Sequence, residues 1–228
     1  MLRFLCTWGM RREWLAHKAP EGPLKEYYKS PCTNPKVDYR EAEYVALDLE
    51  TTGLNAKEHE IVSIGWVVIR NQRLVMEGAA HQLVSPSSGL TDDSAAIHGI
   101  THDELEKAPS LEAGLARVLP ILAGRVLVAH HAKIEWKFLN AACRKVYGAS
   151  FEIPTVDTMH LEQKAFRRRN QEAKRGDLRL DKVRQAYNLP RYRAHNALID
   201  AIACGELFLA QAAKRSMGKR KPLKDFMI

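Results

Sequence analysis

Asp48-Leu49-Glu50-Thr51-Thr52-Gly53 closes a short apolar run that begins at Tyr44. Alternate residues of an extended chain share a face, so Asp48 and Glu50 stand side by side at a strand end. Carboxylates that close repel unless one keeps its proton or cations neutralise them, and a pair of divalent ions does the latter. Thr51 and Thr52 add hydroxyls, and Gly53 lets backbone approach a ligand closely. A plain strand end with a glycine turn would carry the same letters without chemistry. Near the C-terminus runs Ala194-His195-Asn196-Ala197-Leu198-Ile199-Asp200. Helical geometry puts His195 at a helix start and Asp200 in its second turn, so that the imidazole can swing over a water that the carboxylate helps to hold. Ala197, Ala201 and Ala203 are small enough to let that helix lie close against a sheet.

The elements that must position these groups are legible as periodic runs. Tyr44 to Leu49, Glu60 to Arg70 and Leu74 to Leu83 read as three strands, the last two forming a hairpin around Asn71-Gln72-Arg73. Ser110 caps a helix carrying Leu111, Leu115, Val118 and Leu119, which Pro120 should end or kink. Val126 to Ala129 is a buried-type strand, Ile134 to Tyr147 a helix closed by Gly148, and Val156 lies in a further short strand. Helices follow near Thr158 to Arg168, Leu180 to Tyr187 and His195 to Lys214. Strands first, then alternating helices and strands, imply a mixed α/β sheet covered by helices. Residues 1–42 read as an N-terminal helical extension broken by prolines. In it Arg11 to Lys18 forms a helix with Trp14 and Leu15 inward, and Leu24 to Tyr28 another. The sheet domain spans 43–213, and 214–228 form a basic tail.

Composition narrows the class. With 228 residues, 46% hydrophobic and 27% charged, the chain is neither a long disordered protein nor a disulfide-stapled miniprotein. No apolar run approaches the roughly 18 residues of a membrane span. Phe4 to Met10 runs straight into Arg11, Arg12 and Glu13 without a cleavage site, so a signal peptide is not expected. Cys6, Cys32, Cys143 and Cys204 are scattered, with no CxxC pair, which points to a reducing, cytoplasmic setting. Net charge is +8, and it is uneven. Between Lys164 and His195, Lys and Arg outnumber Glu172, Asp177 and Asp181 eleven to three. Such a segment suits a polyanion such as nucleic acid, and equally a solvated helical face.

With both motifs in order, the chain resembles the DnaQ-like, or DEDDh, family of 3′ to 5′ exonucleases, which includes a bacterial proofreading subunit, oligoribonuclease and RNase T. The resemblance covers Tyr44 to Ala213. Asp48 and Glu50 match its first motif, and His195 and Asp200 its third. Ala96 to Thr101 resembles the segment near the terminal nucleotide, and Val156-Asp157-Thr158 the turn after a strand. The second motif departs: in His130-His131-Ala132-Lys133-Ile134-Glu135, Glu135 stands where the family has Asp, one methylene longer, about 1.5 Å. Adjacent residues leaving a strand point apart, so His130 and His131 are not expected to share a metal.

The resemblance implies a ribonuclease-H-like mixed five-stranded sheet flanked by helices. It implies two divalent cations, Mg²⁺ or Mn²⁺, held by Asp48, Glu50, Glu135 and Asp200, with His195 as general base and nucleoside 5′-monophosphates released from single-stranded DNA or RNA 3′ ends. Leu54 and Ile97 would flank the terminal base, while Thr51, Thr52, His98 and the Leu49 backbone would contact sugar and phosphate. In this fold Arg167, Arg168 and Arg169 would flank the cleft and contact phosphates upstream. Two other readings remain: a nucleic-acid-binding pseudoenzyme disabled by Glu135, and a proofreading accessory docking a polymerase or other protein through the N-terminal extension.

Overall fold

Five runs rich in β-branched and apolar residues build the sheet. They are β1 (Tyr44–Thr51), β2 (Ile61–Arg70), β3 (Arg73–Leu83), β4 (Val126–Ala129) and β5 (Thr155–Asp157). The computed structural model describes residues 2–87, 98–193 and 195–228, with side chains from Gly9 onward. Strand order is β3-β2-β1-β4-β5. The β1–β2 and β2–β3 pairs are antiparallel, and β1–β4 and β4–β5 are parallel. β1 is therefore the central strand, with Asp48 opposite Gly65 and Glu50 opposite Ser63.

Helices cover both faces: α1 (Leu2–Lys18), α2 (Pro23–Lys29), α3 (His102–Glu106), α4 (Leu111–Leu122), α5 (Lys133–Tyr147), α6 (Thr158–Arg168), α7 (Leu180–Ala186) and α8 (Ala197–Ser216). Val45, Leu47 and Leu49 of β1 point into a core with Leu115, Leu119, Phe138 and Leu139 of α4 and α5. Tyr44 and Ala46 point the other way, into a second core with Cys204 and Phe208 of α8. Alternation then puts Asp48 and Glu50 on the α8 face. None of the described helices is long and apolar enough to cross a membrane.

Three local expectations need correction. α4 runs through Pro120 to Leu122, because a proline this close to the end removes one backbone hydrogen bond and Ala123 N still donates to Leu119 O at 3.0 Å. α1 is longer than expected, and Trp14 is 57% exposed while Leu15 turns inward beside buried Arg12. The last helix starts at Ala197, leaving His195 in the bend before it, and it ends at Ser216. The terminal segments are built into the body. Leu15, Leu24, Tyr27 and Tyr28 belong to the α4–α5 core, and Tyr27 and Tyr28 hydroxyls donate to Glu152 O and Ser150 O at 2.7 and 2.8 Å. Leu223 and Phe226 are buried in the α8 core, and Met227 bridges to Val156.

Candidate active site

The end of β1 and the start of α8 converge because a glycine lets them. Gly65 lies across from Asp48, and a Cβ there would fall 2.1 Å from the Ala197 carbonyl carbon, so no side chain fits between β2 and α8. Asn196 caps α8, its Oδ1 accepting from Ile199 N at 3.1 Å. His195 takes a left-handed conformation, φ 70°, and its backbone N–H donates to Asp200 Oδ2 at 2.8 Å. Asp200 projects from the first turn of α8, not the second. One oxygen each of Asp48, Glu50 and Asp200 lie within 4.8 Å of one another.

Glu135, in the first turn of α5, lies outside that 4.8 Å group but close enough for its charge to act on Asp48. It is buried, and its Oε2 has no hydrogen-bond partner. Burial first, then the charges of Glu135, Asp200 and Glu50, push the Asp48 carboxyl well above the usual range. Burial and Asp200 lift Glu50 to about 7, and burial and Asp157 lift Glu135 to about 8. Burial also raises Asp200, against the N–H groups of His195 and Asn196 that favour its charge. Among the described residues no salt bridge neutralises any of the four. Hard oxygen donors that repel one another, with a buried oxygen left unpartnered, fit divalent cations.

Asp157, at the end of β5, fixes the approach of α5. Its carboxylate accepts from His131 N and Ala132 N, both at 3.1 Å, and from Met159 N and His160 N at 2.9 and 3.2 Å. One side chain thus caps α6 and anchors the turn into α5, in which His131 adopts φ 74°. His130 is otherwise engaged. Its Nε2 must donate to Leu178 O at 2.7 Å, so the neutral ring accepts from the Thr158 hydroxyl through Nδ1 at 2.8 Å. Burial lowers its pKa, consistent with that neutral form.

The proposed substrate contacts are placed unevenly. The Thr51 hydroxyl donates to Gly53 O at 2.7 Å. Thr52 is buried, and its hydroxyl accepts from Glu60 N at 3.0 Å and meets His59 Nδ1 at 3.3 Å, so it shapes the turn instead of facing a ligand. Leu49 packs inward. Leu54 is 84% exposed, at the lip of a groove of about 710 Å³ bounded by Lys137, Phe138 and Lys145 of α5. His98 accepts from Ile100 N through Nδ1 at 3.2 Å, leaving a buried Nε2 without a partner. Burial and the nearby His195 lower its pKa. Ile97 lies outside the described residues.

Arg167, Arg168 and Arg169 are not brought to the cleft. α6 leaves the site at Asp157 and runs eleven residues away from it, about 16 Å at 1.5 Å per residue. Arg168 sits near Lys164 and Arg215, whose charges act on one another at the far end of α8. Arg169 pairs with buried Glu162 at 3.2 Å. Sequence reasoning missed Gly65 and the four-donor role of Asp157. A glycine in the middle of an apolar β-rich run was the available signal for the first.

A mixed sheet in this order, with acids from its central strand meeting an acid from the last long helix, defines a ribonuclease-H-like nuclease domain. The exonuclease family model RNase_T matches residues 45–208, and the chain belongs to this DnaQ-like exonuclease family. It is 35% identical over 171 residues to a PolC-type DNA polymerase III of Thermotoga petrophila, covering 75% of this chain and 12% of that one. It is 31% identical over 170 residues to the DNA polymerase III subunit epsilon of Treponema pallidum, covering 75% and 76%. The chain thus spans about an eighth of the PolC-type relatives. The nuclease domain of 3'hExo, a DEDDh family member bound to rAMP, shares the fold, with TM-score 0.63, 19% identity and coverage of 82% and 98%.

Proposed function

We propose that the chain is a divalent-metal-dependent 3′ to 5′ exonuclease that releases nucleoside 5′-monophosphates from single-stranded DNA or RNA ends. The observation that carries this reading is the convergence of Asp48, Glu50 and Asp200 within 4.8 Å, with the buried Glu135 carboxyl acting on Asp48. Asp48, Glu50 and Asp200 would hold the ions, with Glu135 completing the set directly or through water. When bound, two ions would stabilise charge on the attacking and the leaving oxygen of an in-line displacement.

His195 takes the proton of the attacking water on an imidazole nitrogen, and its backbone bond to Asp200 keeps it beside the acids. His98, neutral and with Nε2 free to donate, contacts the terminal phosphate or sugar. Leu54 flanks the terminal base, and Thr51 and the Leu49 backbone line the strand end. The polymerase III relatives favour DNA as substrate, a replicative polymerase as partner and a cytoplasmic setting. The N-terminal helices are the candidate docking element. Against the pseudoenzyme reading, Glu135 keeps a buried carboxylate at the site.

The test is cleavage of 5′-labelled DNA and RNA oligonucleotides by purified protein in Mg²⁺, Mn²⁺ or EDTA. Stepwise shortening in metal, none in EDTA, and 5′-monophosphates by mass are expected. Internal cuts, or cleavage that survives EDTA, would overturn the proposal.

A further inference from the structure

Arg184 of α7 is buried, and it joins α8 to the segment leading to His195. Its Nη2 donates to Pro190 O and to Glu206 Oε2, each at 2.8 Å, and its Nη1 donates to Ala203 O at 2.5 Å. The guanidinium lies 4.7 Å from the centre of the Tyr192 ring. The Tyr192 hydroxyl donates to the other oxygen of Glu206 at 3.0 Å. One oxygen of this α8 carboxylate thus holds the segment directly through the Tyr192 phenol, and the other holds Arg184, which in turn holds Pro190 O. Arg191 and Arg193 are exposed, and among the described residues no other side chain from 190–193 bonds to the body.

The second fastening is the His195 N–H on Asp200 Oδ2. Asp200 and Glu206 are six residues apart on α8, about 9 Å along its axis. The segment from Pro190 to His195 spans up to about 17 Å when extended. It is thus tied to α8 at two points, and His195 sits at the lower one in a left-handed conformation that a free chain disfavours.

We propose that Arg184, Tyr192 and Glu206 form a clamp whose function is to position His195, so that they are positioning residues for the reaction. This rests on the reading of His195 as general base. A buried guanidinium is costly unless fully paired, and here it pairs with Glu206 and Ala203 O of α8 and with Pro190 O at the start of the histidine segment. A misplacement of about 1 Å can cost on the order of 100-fold in rate, so a loosened clamp should act on turnover more than on binding.

The experiment uses Tyr192→Ala and Tyr192→Phe, at a position outside the core, each alone and combined with His195→Ala. Tyr192→Ala should lower kcat by roughly 10- to 100-fold with KM within about threefold, and Tyr192→Phe should lose less because the ring remains under Arg184. In the His195→Ala background the same change should leave kcat within about twofold, since the group it positions is gone. Hydrogen exchange provides an arm independent of activity: the His195 amide should exchange at least about tenfold faster in Tyr192→Ala, with β1 amides unchanged. Wild-type kcat in Tyr192→Ala, an equal loss in both backgrounds, or unchanged exchange would each overturn the clamp. If His195→Ala instead cleaves as fast as wild type, the general-base reading fails, and exchange still decides whether the clamp holds the segment.

Discussion

Glu135→Gln should make the metal-free protein more stable, and increasingly so as pH rises. The Glu135 carboxyl moves from 4.5 to about 8 in the fold, chiefly through burial and secondarily through the charge on Asp157. A carboxyl raised on folding holds a proton that the unfolded chain has already lost, so folding stability falls as pH climbs from about 4.5 to about 8. At 1.36 kcal/mol per unit, the full shift corresponds to a ceiling of about 5 kcal/mol above pH 8. The same relation gives about 1 kcal/mol at pH 5 and about 4 kcal/mol at pH 8. Glutamine keeps the shape, removes the charge and offers a donor where Oε2 now has no partner. Local relaxation reduces the realised gain to roughly 2–4 kcal/mol at pH 8. For a domain of this size that is roughly 5–15 °C in melting temperature. Thermal unfolding with a chelator at pH 5, 6.5 and 8 measures it. Added Mn²⁺ should then raise the melting temperature of the wild type more than that of the variant. A glutamine variant that melts below wild type at pH 8, or an offset equal at pH 5 and pH 8, would refute the reasoning.

Asp48→Ala, Glu50→Ala and Asp200→Ala should each abolish cleavage in folded protein, as chelation should in the wild type, and near-wild-type turnover in any of them would exclude that residue as a ligand. His195→Ala should slow cleavage by roughly 10²- to 10⁴-fold and remove the acidic limb of the pH–rate profile, and an unchanged limb would take the base role from it. Gly65→Ala should force α8 outward, costing about 1–3 kcal/mol and most of the activity. A variant melting within a degree of wild type would show that Ala197 gives way cheaply. Replacing Arg167 and Arg168 with Ser should leave turnover of a short oligonucleotide within about twofold, because α6 carries them about 16 Å along its axis from Asp157 and sets Arg168 beside Arg215 at the far end of α8; a tenfold loss would contradict that placement.

The sheet was legible because its strands carry their own signals: the apolar run ending in Asp48, the Asn71-Gln72 turn and the caps at Ser110 and Gly148 are all local. The acids were legible for the same reason, since alternation along β1 fixes the face of Asp48 and Glu50 without knowledge of the rest. What sequence could not supply were distances set by packing. Nothing local says that Gly65 meets Ala197, that Asp157 collects donors from two helix starts, or that Thr52 is turned into its own loop. The arginines after Phe166 show the same limit. Their charge was plain, but the direction of α6 depends on which end of β5 it leaves. Trp14 misled because helical spacing on so short a stretch left the buried face of α1 ambiguous until Leu15, Tyr27 and Tyr28 packed together.

The most direct measurement follows a single-stranded oligonucleotide labelled at either end, with the wild type beside Asp48→Ala in Mn²⁺. With the label on the 3′-terminal residue, the wild type should release it first, as a labelled mononucleotide, while a 5′ label stays in long, stepwise shortening products. Asp48→Ala should release neither. Early release of the 5′ label, or equal release by Asp48→Ala, would contradict the claim that this acidic cluster hydrolyses nucleic acid from the 3′ end.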